Sequence, residues 1–368
     1  MKRILYIGGF EMPDKNAAAQ RVMANALLLR EMGFDVMFIG ISKDIVNAPK
    51  EVDGFKSFPQ LYPSNTRQWF HQIMTFFDVD KILAEKPDYV VLYNFPSIAS
   101  LKILKACHKQ GIKVFHDLTE WESADGWSLR NVFRKFDINI RMRYCIKKMD
   151  GLICISRFLY DYYKKYTICV LVPPTVDLQA EKWNRGRLLT SGENIKLVYA
   201  GNAGFGNKDK LDVIIDALKA FPSIKLTVIG MTEEQYVQGY GSLPADCKNV
   251  EFRGRVSHAE AVKAVCDADF QMLIRDNTLK NRAGFPTKFV ESMSCCTPLI
   301  ATLTSNISDY LKDGENGFVV DGEQTLTKVF SRILGMESKD IVAMKQNCRN
   351  FIGFDYRYYK SEIGKLFQ

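Results

Sequence analysis

The sequence lacks any run of 18 apolar residues, so we expect no helix that spans a membrane. Its first residues, MKRILYIGGFEMPDKN, hold an apolar run of only about five residues, which is too short for a signal peptide. The nine cysteines are odd in number and form no C-x-x-C pair. We therefore expect reduced, mostly buried thiols and a cytoplasmic protein, not a disulfide scaffold.

Metal-binding and nucleotide-loop motifs are also missing. The four histidines and nine cysteines show no zinc spacing, and the two D-x-D triplets, Asp78–Asp80 and Asp267–Asp269, fall at predicted helix ends. We expect no bound metal. The chain contains neither G-x-G-x-x-G nor G-x-x-x-x-G-K-[ST], which argues against a nicotinamide dehydrogenase and excludes an ATPase P-loop.

What remains is an ordinary globular composition. The 368 residues are 47% hydrophobic and 25% charged, which suits about two domains, each with its own core. Fifty basic residues stand against 42 acidic ones, a net charge of +8. This mild surplus suggests anionic partners such as phosphates or lipid headgroups.

Short apolar runs alternate with longer amphipathic ones along both halves of the chain. This alternation predicts an α/β fold with two doubly wound parallel sheets. The predicted strands of the first half are 3–7, 35–39, 89–93, 113–115 and 152–155, with helices at 17–32 and 97–109. In the second half the strands are 195–200, 224–229, 250–252, 270–274 and 299–301, with a helix at 208–220.

A polar stretch separates the halves. We predict a first domain at 1–172, a linker at 173–194 and a second domain at 195–353. The tail, 354–368, is an aromatic-rich helical stretch that needs a surface to cover.

Ligands of open parallel sheets bind beyond the carboxyl ends of the strands, so the loops there hold the candidate residues. Gly8-Gly9 follows the first strand, where it allows either close approach to a ligand or only a tight turn. His116 follows the predicted strand 113–115, as a functional side chain or a hydrogen-bonded strand-end histidine.

Two segments of the second half suit a phosphate. The glycine-rich loop from Gly201 to Lys208 precedes a helix, although a flexible loop with solvated lysines is the alternative. The second segment begins at Arg282 and places Thr287, Lys288 and Glu291 on one face of a helix start. That face offers amides and a cation to a diphosphate and a carboxylate to a ribose. A surface Lys–Glu pair is the alternative.

These residues together resemble a known family. The Gly8-Gly9 loop, His116-Asp117, Ser156 before a helix and Pro173-Pro174-Thr175-Val176-Asp177 occur in its order. So do Ile229-Gly230, Phe252-Arg253-Gly254-Arg255-Val256, the Phe285–Glu291 helix start, Thr297-Pro298-Leu299-Ile300-Ala301 and Asp313-Gly314-Glu315-Asn316-Gly317. The chain resembles retaining glycosyltransferases of the GT-B fold, family 4, over nearly its whole length. The resemblance implies two Rossmann-like domains facing across a cleft, with the tail helix returning to the first.

The resemblance also implies roles for residues. His116 matches the histidine near the transferred sugar, Glu291 the second Glu of E-x7-E, which binds the ribose, and Arg253–Val256 the loop near the base. The segment Gly284–Lys288 matches the one that meets the sugar and the diphosphate. The implied donor-binding set is Gly8, Gly9, Asn202, Lys208, Gly230, Arg253, Arg255, Phe285, Thr287, Lys288 and Glu291.

Two positions depart from the family pattern. Ala283 stands where the first Glu of E-x7-E should be, and Asn202 where a phosphate-binding Arg should be. The partner lysine is Lys208 or Lys210. We hypothesise that Lys288, Arg282 or Arg275 restores the missing charge.

The implied activity is metal-independent transfer of a hexose, with retention, from a UDP- or GDP-linked sugar. The acceptor would be a glycan or a lipid-linked acceptor in the synthesis of cell-surface polysaccharide or glycoconjugate. A non-catalytic GT-B subunit that binds glycan or a partner is one alternative. A nucleotide-sugar 2-epimerase is another.

Residues 130–148 carry seven basic residues and one acidic residue, Asp137. Phe133, Phe136, Ile140 and Tyr144 interleave with them at helical spacing. The stretch is either a helix that docks on an anionic membrane, such as the inner face of the cell membrane, or an amphipathic helix whose apolar stripe is core. No nucleic-acid recognition motif accompanies it, so we expect no nucleic-acid partner.

Overall fold

The computed structural model describes residues 1–74, 77–122, 127–183, 188, 194–201, 209–243 and 247–368, with the backbone alone at 72–74. The chain divides into two compact units. The first comprises Met1–Val176, Arg282–Phe285 and Asp355–Gln368, and the second comprises Asp177–Asn281 and Pro286–Phe354. The division after Val176 falls within the predicted linker, whereas the short segment Arg282–Phe285 joins the first unit instead of the second.

The first unit is built on an eight-stranded sheet. Its strands in chain order, with two short extra strands, are β1 (Arg3–Gly8), β2 (Asp35–Ile39), β3 (Ile41–Ser42), β4 (Glu51–Val52), β5 (Phe55–Ser57), β6 (Gln60–Leu61), β7 (Tyr89–Tyr93), β8 (Lys113–Leu118), β9 (Gly151–Cys154) and β10 (Cys169–Leu171). The order in the sheet is β10-β9-β8-β7-β1-β2-β5-β4, and only β4 runs antiparallel to its neighbour. β3 pairs with β6 in a separate parallel ribbon.

Helices cover this sheet because its central strands are apolar on both faces. β7, for example, reads YVVLY and is buried along its whole length, as expected of a central parallel strand. The helices are α1 (Ala17–Glu31), α2 (Thr66–Met74), α3 (Val79–Ala84), α4 (Ser97–His108), α5 (Leu129–Ile140) and α6 (Arg157–Tyr163). Asn16, Asp78, Ser128 and Ser156 cap four of them through their side-chain oxygens.

The chain's end packs on the same unit. A 3₁₀ turn (Tyr356–Tyr359) leads into α14 (Lys360–Gly364), and a further 3₁₀ turn ends at Phe367. The ring of Phe367 contacts those of Phe34, Tyr89 and Phe115. The aromatic stripe of the tail therefore covers the first unit's core.

The second unit has a six-stranded, all-parallel sheet. Its strands are β11 (Ile195–Ala200), β12 (Ile224–Ile229), β13 (Val250–Phe252), β14 (Phe270–Leu273), β15 (Leu299–Thr302) and β16 (Gly317–Val320), in the order β13-β12-β11-β14-β15-β16. Its helices are α7 (Leu211–Leu218), α8 (Glu233–Tyr240), α9 (His258–Asp267), α10 (Leu279–Ala283), α11 (Thr287–Ser294), α12 (Leu326–Leu334) and α13 (Ser338–Asn350). The neighbours of β11 are β12 and β14. Strands β12 and β13 are therefore added on one side of β11 and β14 to β16 on the other. Open α/β sheets bind ligands where the strand order reverses in this way.

Several predicted boundaries need correction. β8 continues to Leu118, so His116 lies inside a strand and not after it. His116 and Asp117 are both fully buried in this extended part of β8. The helix predicted at 208–220 spans only Leu211–Leu218, and Asp209 stands outside it. The sequence reading missed β10 and β16.

The basic stretch 130–148 is not one regular helix. α5 ends at Ile140 and a π-helical turn and a 3₁₀ turn continue to Lys148. The predicted stripe does not form core: Phe133 is 41%, Phe136 65% and Tyr144 51% exposed. Ile138, Met142 and Cys145 are buried instead. The core alternative for that stripe is therefore wrong.

In the described part of the chain, no helix has the length and hydropathy needed to cross a membrane.

Candidate active site

A group of charged residues lies at the carboxyl edge of the second sheet, and Lys288 is one of them. It lies in the first turn of α11 and its side chain is only 12% exposed. The alternative of a solvated surface Lys–Glu pair is therefore wrong. The Lys288 stem crosses the end of β11, where a Cβ at Gly201 would overlap its Cε. Gly201 also has a φ of +143°, so glycine is required there for two reasons.

The Asp209 carboxylate is the negatively charged partner of Lys288. It is 2% exposed and forms ion pairs with the Lys288 ammonium and the Arg275 guanidinium. Arg275 lies two residues after the end of β14, and its amide donates to Thr302 Oγ1 over 2.8 Å. The cluster thus joins the ends of three elements: β11, β14 and α11.

Tyr199 and Tyr240 complete the polar network. The Tyr199 hydroxyl donates to Asp209 Oδ2 over 2.7 Å and accepts from Lys288 Nζ over 2.7 Å. The Tyr240 hydroxyl donates to the Asp209 carbonyl over 3.1 Å. The ammonium of Lys288 also lies 4.0 Å from the Tyr199 ring centre. These contacts hold the cations in fixed positions before any ligand arrives.

At neutral pH the Asp209 side chain is ionised and the Tyr199 side chain is neutral. Burial raises the pKa of Asp209, but Lys288 and Arg275 outweigh it and hold that pKa well below its ordinary value. Burial and the Asp209 charge raise the pKa of Tyr199, which stays neutral. Two cations and one carboxylate leave one surplus positive charge at the strand ends, where an anionic ligand is favoured.

Glu291 lies one turn further along α11. Its carboxylate is 24% exposed and stands 3.7 Å from Nε2 of His258, the first residue of α9. Accessible carboxylate oxygens can accept hydrogen bonds from two hydroxyls. Lys288 and Glu291 thus place a cation and a carboxylate one helical turn apart on the same helix.

The other predicted residues of the second unit lie around this edge. Thr287 is the first residue of α11. Phe285, which belongs to the first unit, is buried. Gly230 follows β12 with a φ of +101°, and its amide donates to the Gly254 carbonyl over 2.7 Å. This bond ties the loop that bears Arg253 and Arg255 to the end of β12.

Arg253 and Arg255 differ in their surroundings. The Arg253 guanidinium forms a bidentate contact with the exposed Glu251 at 3.0 and 3.1 Å. Arg255 is exposed. Both side chains therefore reach solvent.

The remaining second-unit predictions can be placed only in part. Asn202 and Lys208 lie outside the described residues. Ala283 is fully buried, and its carbonyl accepts from Ser156 Oγ over 2.6 Å. A carboxylate at position 283 would therefore enter a closed environment.

Gly8 and Gly9 end β1 in the first unit and have different surroundings. A Cβ at Gly8 would overlap the Tyr93 carbonyl at the end of β7, so packing between adjacent strands requires this glycine. A Cβ at Gly9 would meet open space. Only Gly9 leaves room for a ligand.

His116 is fully buried in β8. Its Nε2 accepts from the Phe95 amide at 3.4 Å. Burial, helped by the charge of Arg141, lowers the pKa of His116 to about 3. The ring is therefore neutral at physiological pH.

Asp117, next to His116, organises the interior of the first unit. Its buried carboxylate accepts from Arg21, from the Tyr6 hydroxyl at 2.5 Å and from the Asn25 amide at 3.1 Å. Arg21 Nη1 also donates to the carbonyls of Val172 and Pro173, each at 3.0 Å. Through Arg21, this network holds the backbone at Val172 and Pro173 in place.

Sequence reasoning missed Asp209 and Tyr199, and it mentioned Arg275 only as a possible source of charge. The available signal was the pairing of opposite charges after two neighbouring strands, Asp209 after β11 and Arg275 after β14. Among the described residues, no three His, Cys, Asp or Glu side chains cluster closely enough to hold a metal ion.

Comparison with known proteins agrees with the arrangement of the second unit. Residues 194–335 match the family model of glycosyl transferases group 1. An uncharacterized glycosyltransferase of Methanocaldococcus jannaschii is 22% identical over 192 residues, which cover 49% of this chain. The match covers 47% of that protein, so the alignment spans about half of the relative's length.

Solved structures are similar along the whole chain. Sucrose-phosphate synthase from Thermosynechococcus elongatus superposes with a TM-score of 0.74 at 16% identity, covering 100% of this chain and 98% of that one. HepE of Anabaena, solved in complex with UDP, superposes with a TM-score of 0.68 at 14% identity, covering 100% and 99%. The expected resemblance is confirmed: the chain has the GT-B fold, and its residues 194–335 match the model of the glycosyl transferases group 1 family.

Proposed function

We propose that this chain is a retaining, metal-independent glycosyltransferase that moves a hexose from a nucleotide-diphosphate sugar to a glycan or lipid-linked acceptor. Such a reaction serves the synthesis of cell-surface polysaccharide or glycoconjugate. The observation that carries the proposal is the buried group of Lys288, Arg275 and Asp209 at the end of β11, with Glu291 one turn away. It supplies fixed cations for a diphosphate and a carboxylate for a ribose.

The chemistry follows from where charge develops. As the bond between the sugar and the diphosphate breaks, the leaving oxygens gain negative charge, and fixed cations such as Lys288 and Arg275 stabilise it. The leaving phosphate then accepts the proton of the acceptor hydroxyl on the same face of the sugar, which retains the anomeric configuration. His116, neutral and held by the Phe95 amide, is our candidate for orienting the sugar.

UDP is the first nucleotide to test. HepE, which shares the fold, was solved with UDP, with UDP and glucose, and with UDP-glucose. Arg253 and Arg255 would lie near the base in this chain, as the family resemblance implies. GDP-linked sugars belong in the same test.

We also propose that the exposed face of α5 contacts an anionic membrane. Leu129, Phe133 and Phe136 leave apolar surface in solvent there. Arg130 stacks on Trp69 with 5.2 Å between guanidinium carbon and ring centre, and Lys135 lies 5.5 Å from the ring centre of the exposed Trp127. Cations interleaved with exposed aromatic rings suit the headgroup layer of an anionic bilayer.

Thermal-shift measurements with UDP- and GDP-linked sugars test the donor proposal. At least one nucleotide sugar should raise the melting temperature, since a ligand that binds only the folded state stabilises it. The rise should disappear in Lys288→Met and in Glu291→Ala. Lys339→Met, which removes an exposed lysine of α13, is the matched control and should keep it.

A non-catalytic subunit is the second candidate, and the buried Ala283 favours it because the family's first Glu is missing there. The two candidates differ in turnover. An enzyme releases free nucleotide diphosphate from its donor in the presence of acceptor extracts, and Glu291→Ala lowers that release at sub-saturating donor. Nucleotide-sugar binding without release would support the non-catalytic subunit.

A further inference from the structure

The buried Asp209 carboxylate has no role in the reaction proposed above, yet it occupies the centre of the cation pair. It contacts Lys288, Arg275 and the Tyr199 hydroxyl at once and is almost entirely enclosed. Without it, two cations would face each other in a poorly solvated place, which is costly. The carboxylate therefore compensates charge at the point where a diphosphate would bind.

The network leaves Asp209 little freedom to withdraw. Its backbone carbonyl accepts from Tyr240. Its side chain contacts Tyr199 of β11, Arg275 after β14 and Lys288 of α11. A diphosphate that reaches Lys288 and Arg275 must share them with this carboxylate. The bound ligand and Asp209 then repel each other, because like charges a few ångströms apart interact strongly where water is scarce.

We propose that Asp209 is a positioning residue that acts as an internal counter-anion of the diphosphate site. It keeps Lys288 and Arg275 together while the site is empty, and it weakens the hold on the diphosphate so that the product leaves. This inference rests on the proposed function, since it assumes that Lys288 and Arg275 receive the donor's diphosphate. It assigns to Asp209 control over how tightly the nucleotide product is retained.

Calorimetry with inorganic pyrophosphate and with UDP and GDP tests this inference. Asp209→Asn keeps the shape of the side chain and removes its charge, so pyrophosphate should bind about tenfold more tightly than to the unchanged protein. The gain should shrink as salt is added. If Asp209 were merely structural, the substitution would weaken binding or leave it unchanged, and that result would overturn the inference.

An exposed carboxylate of the same unit supplies the matched control. The side chain of Asp216 in α7 is 71% exposed and pairs with Lys219. Asp216→Asn changes the net charge of the protein by the same amount, but in solvent. It should alter pyrophosphate affinity by less than about twofold, because exposed charges are screened. An equal gain in both variants would overturn the inference.

A double variant keeps the test valid if Asp209→Asn alone does not fold. Lys288→Met should weaken pyrophosphate binding, and adding Asp209→Asn should restore part of the lost affinity, because the remaining Arg275 is freed from its carboxylate. A further loss in the double variant would contradict the inference.

Failure of the inference can be told from failure of the proposed function. If the unchanged protein binds neither pyrophosphate, UDP nor GDP, the diphosphate site itself is wrong. If it binds one of them, Lys288→Met weakens that binding, and Asp209→Asn does not tighten it, only the inference about Asp209 fails.

Discussion

Glu291 is the residue on which nucleotide recognition most directly depends in this account. A carboxylate that accepts two hydroxyl hydrogen bonds contributes about 1.5–3 kcal/mol per bond. Glu291→Ala should therefore raise the donor KM by at least about a hundredfold. Steady-state release of nucleotide diphosphate measures this change.

Two variants sharpen the Glu291 prediction. Glu291→Gln keeps the shape of the side chain and one acceptor oxygen, so its KM should lie between those of the unchanged protein and Glu291→Ala. Glu323→Ala, at an exposed position of the same unit, should leave KM unchanged. An unaltered KM in Glu291→Ala would remove Glu291 from the site.

His116 gives the protein a defined pH dependence of stability. Its folded-state pKa of about 3 lies below the ordinary value of 6.5, so only the unfolded chain takes up this proton between those values. The stability it contributes is complete above about pH 6.5 and is lost progressively as the pH falls towards about 3. By pH 5 the loss should be about 2 kcal/mol.

Denaturant unfolding at pH 7.5 and pH 5 measures the His116 contribution. His116→Gln should lose about 2 kcal/mol less between these two conditions than the unchanged protein. His71→Gln, at an exposed position of α2, serves as the control and should behave like the unchanged protein. Identical pH profiles for His116→Gln and the unchanged protein would mean that His116 is not held neutral by the fold.

At the scale of elements, the end of β11 decides where the cation of α11 lies. Gly201→Ala would force an unfavourable φ and push against the Lys288 stem. We expect a loss of about 1–3 kcal/mol in stability and a donor affinity reduced about tenfold. Gly322→Ala, whose new Cβ meets open space, should change neither quantity. Unchanged donor binding in Gly201→Ala would show that Lys288 is not held there for a ligand.

The exposed face of α5 is the second element with a measurable role. The double substitution Leu129→Ser and Phe136→Ser removes apolar side chains that are exposed in the structure, so folding should be unaffected. Flotation with phosphatidylcholine vesicles containing phosphatidylglycerol should show binding that falls with salt and weakens at least tenfold in this variant.

The membrane test has its own control and limit. Ile352→Ser and Tyr358→Ser replace equally exposed apolar residues elsewhere and should keep vesicle binding. If the unchanged protein does not float with anionic vesicles at low salt, α5 has no membrane role.

Elements also show what the sequence predicts well. The strands around β11 and the start of α11 follow from short apolar runs ended by glycine or proline, which are local signals. The extension of β8 through His116 and Asp117 could not be predicted from such a pattern, because polar residues ordinarily end a buried strand. Asp117 is tolerated there because Arg21, Tyr6 and Asn25, distant in the sequence, satisfy it.

The candidate site also has residues that the sequence predicts and residues that it does not. Lys288 and Glu291 are predictable because they share one helix at a fixed spacing. The Asp209–Arg275 pair is not, because its residues are 66 positions apart and meet only when β11 and β14 become neighbours. The exposure of the α5 stripe could not be predicted for a related reason: periodicity identifies an apolar face but not whether another element covers it.

At the scale of the whole molecule, the mild charge surplus has specific locations. Part of the +8 lies on α5 and the turns that follow it, and part lies at Lys288, Arg253, Arg255 and Arg275 along the edge of the second sheet. The site that we propose for a nucleotide-diphosphate sugar combines a strand order that reverses at β11, a buried cation pair and an accessible carboxylate on α11.

Following the anomeric configuration of the transferred sugar by proton NMR tests the central proposal most directly. With an α-linked UDP- or GDP-sugar that binds, and in the presence of a chelator, the first sugar product should carry the α configuration. The signal should be absent in Lys288→Met and present in Lys339→Met. A β-configured first product, or no sugar released from any donor that binds, would contradict the account.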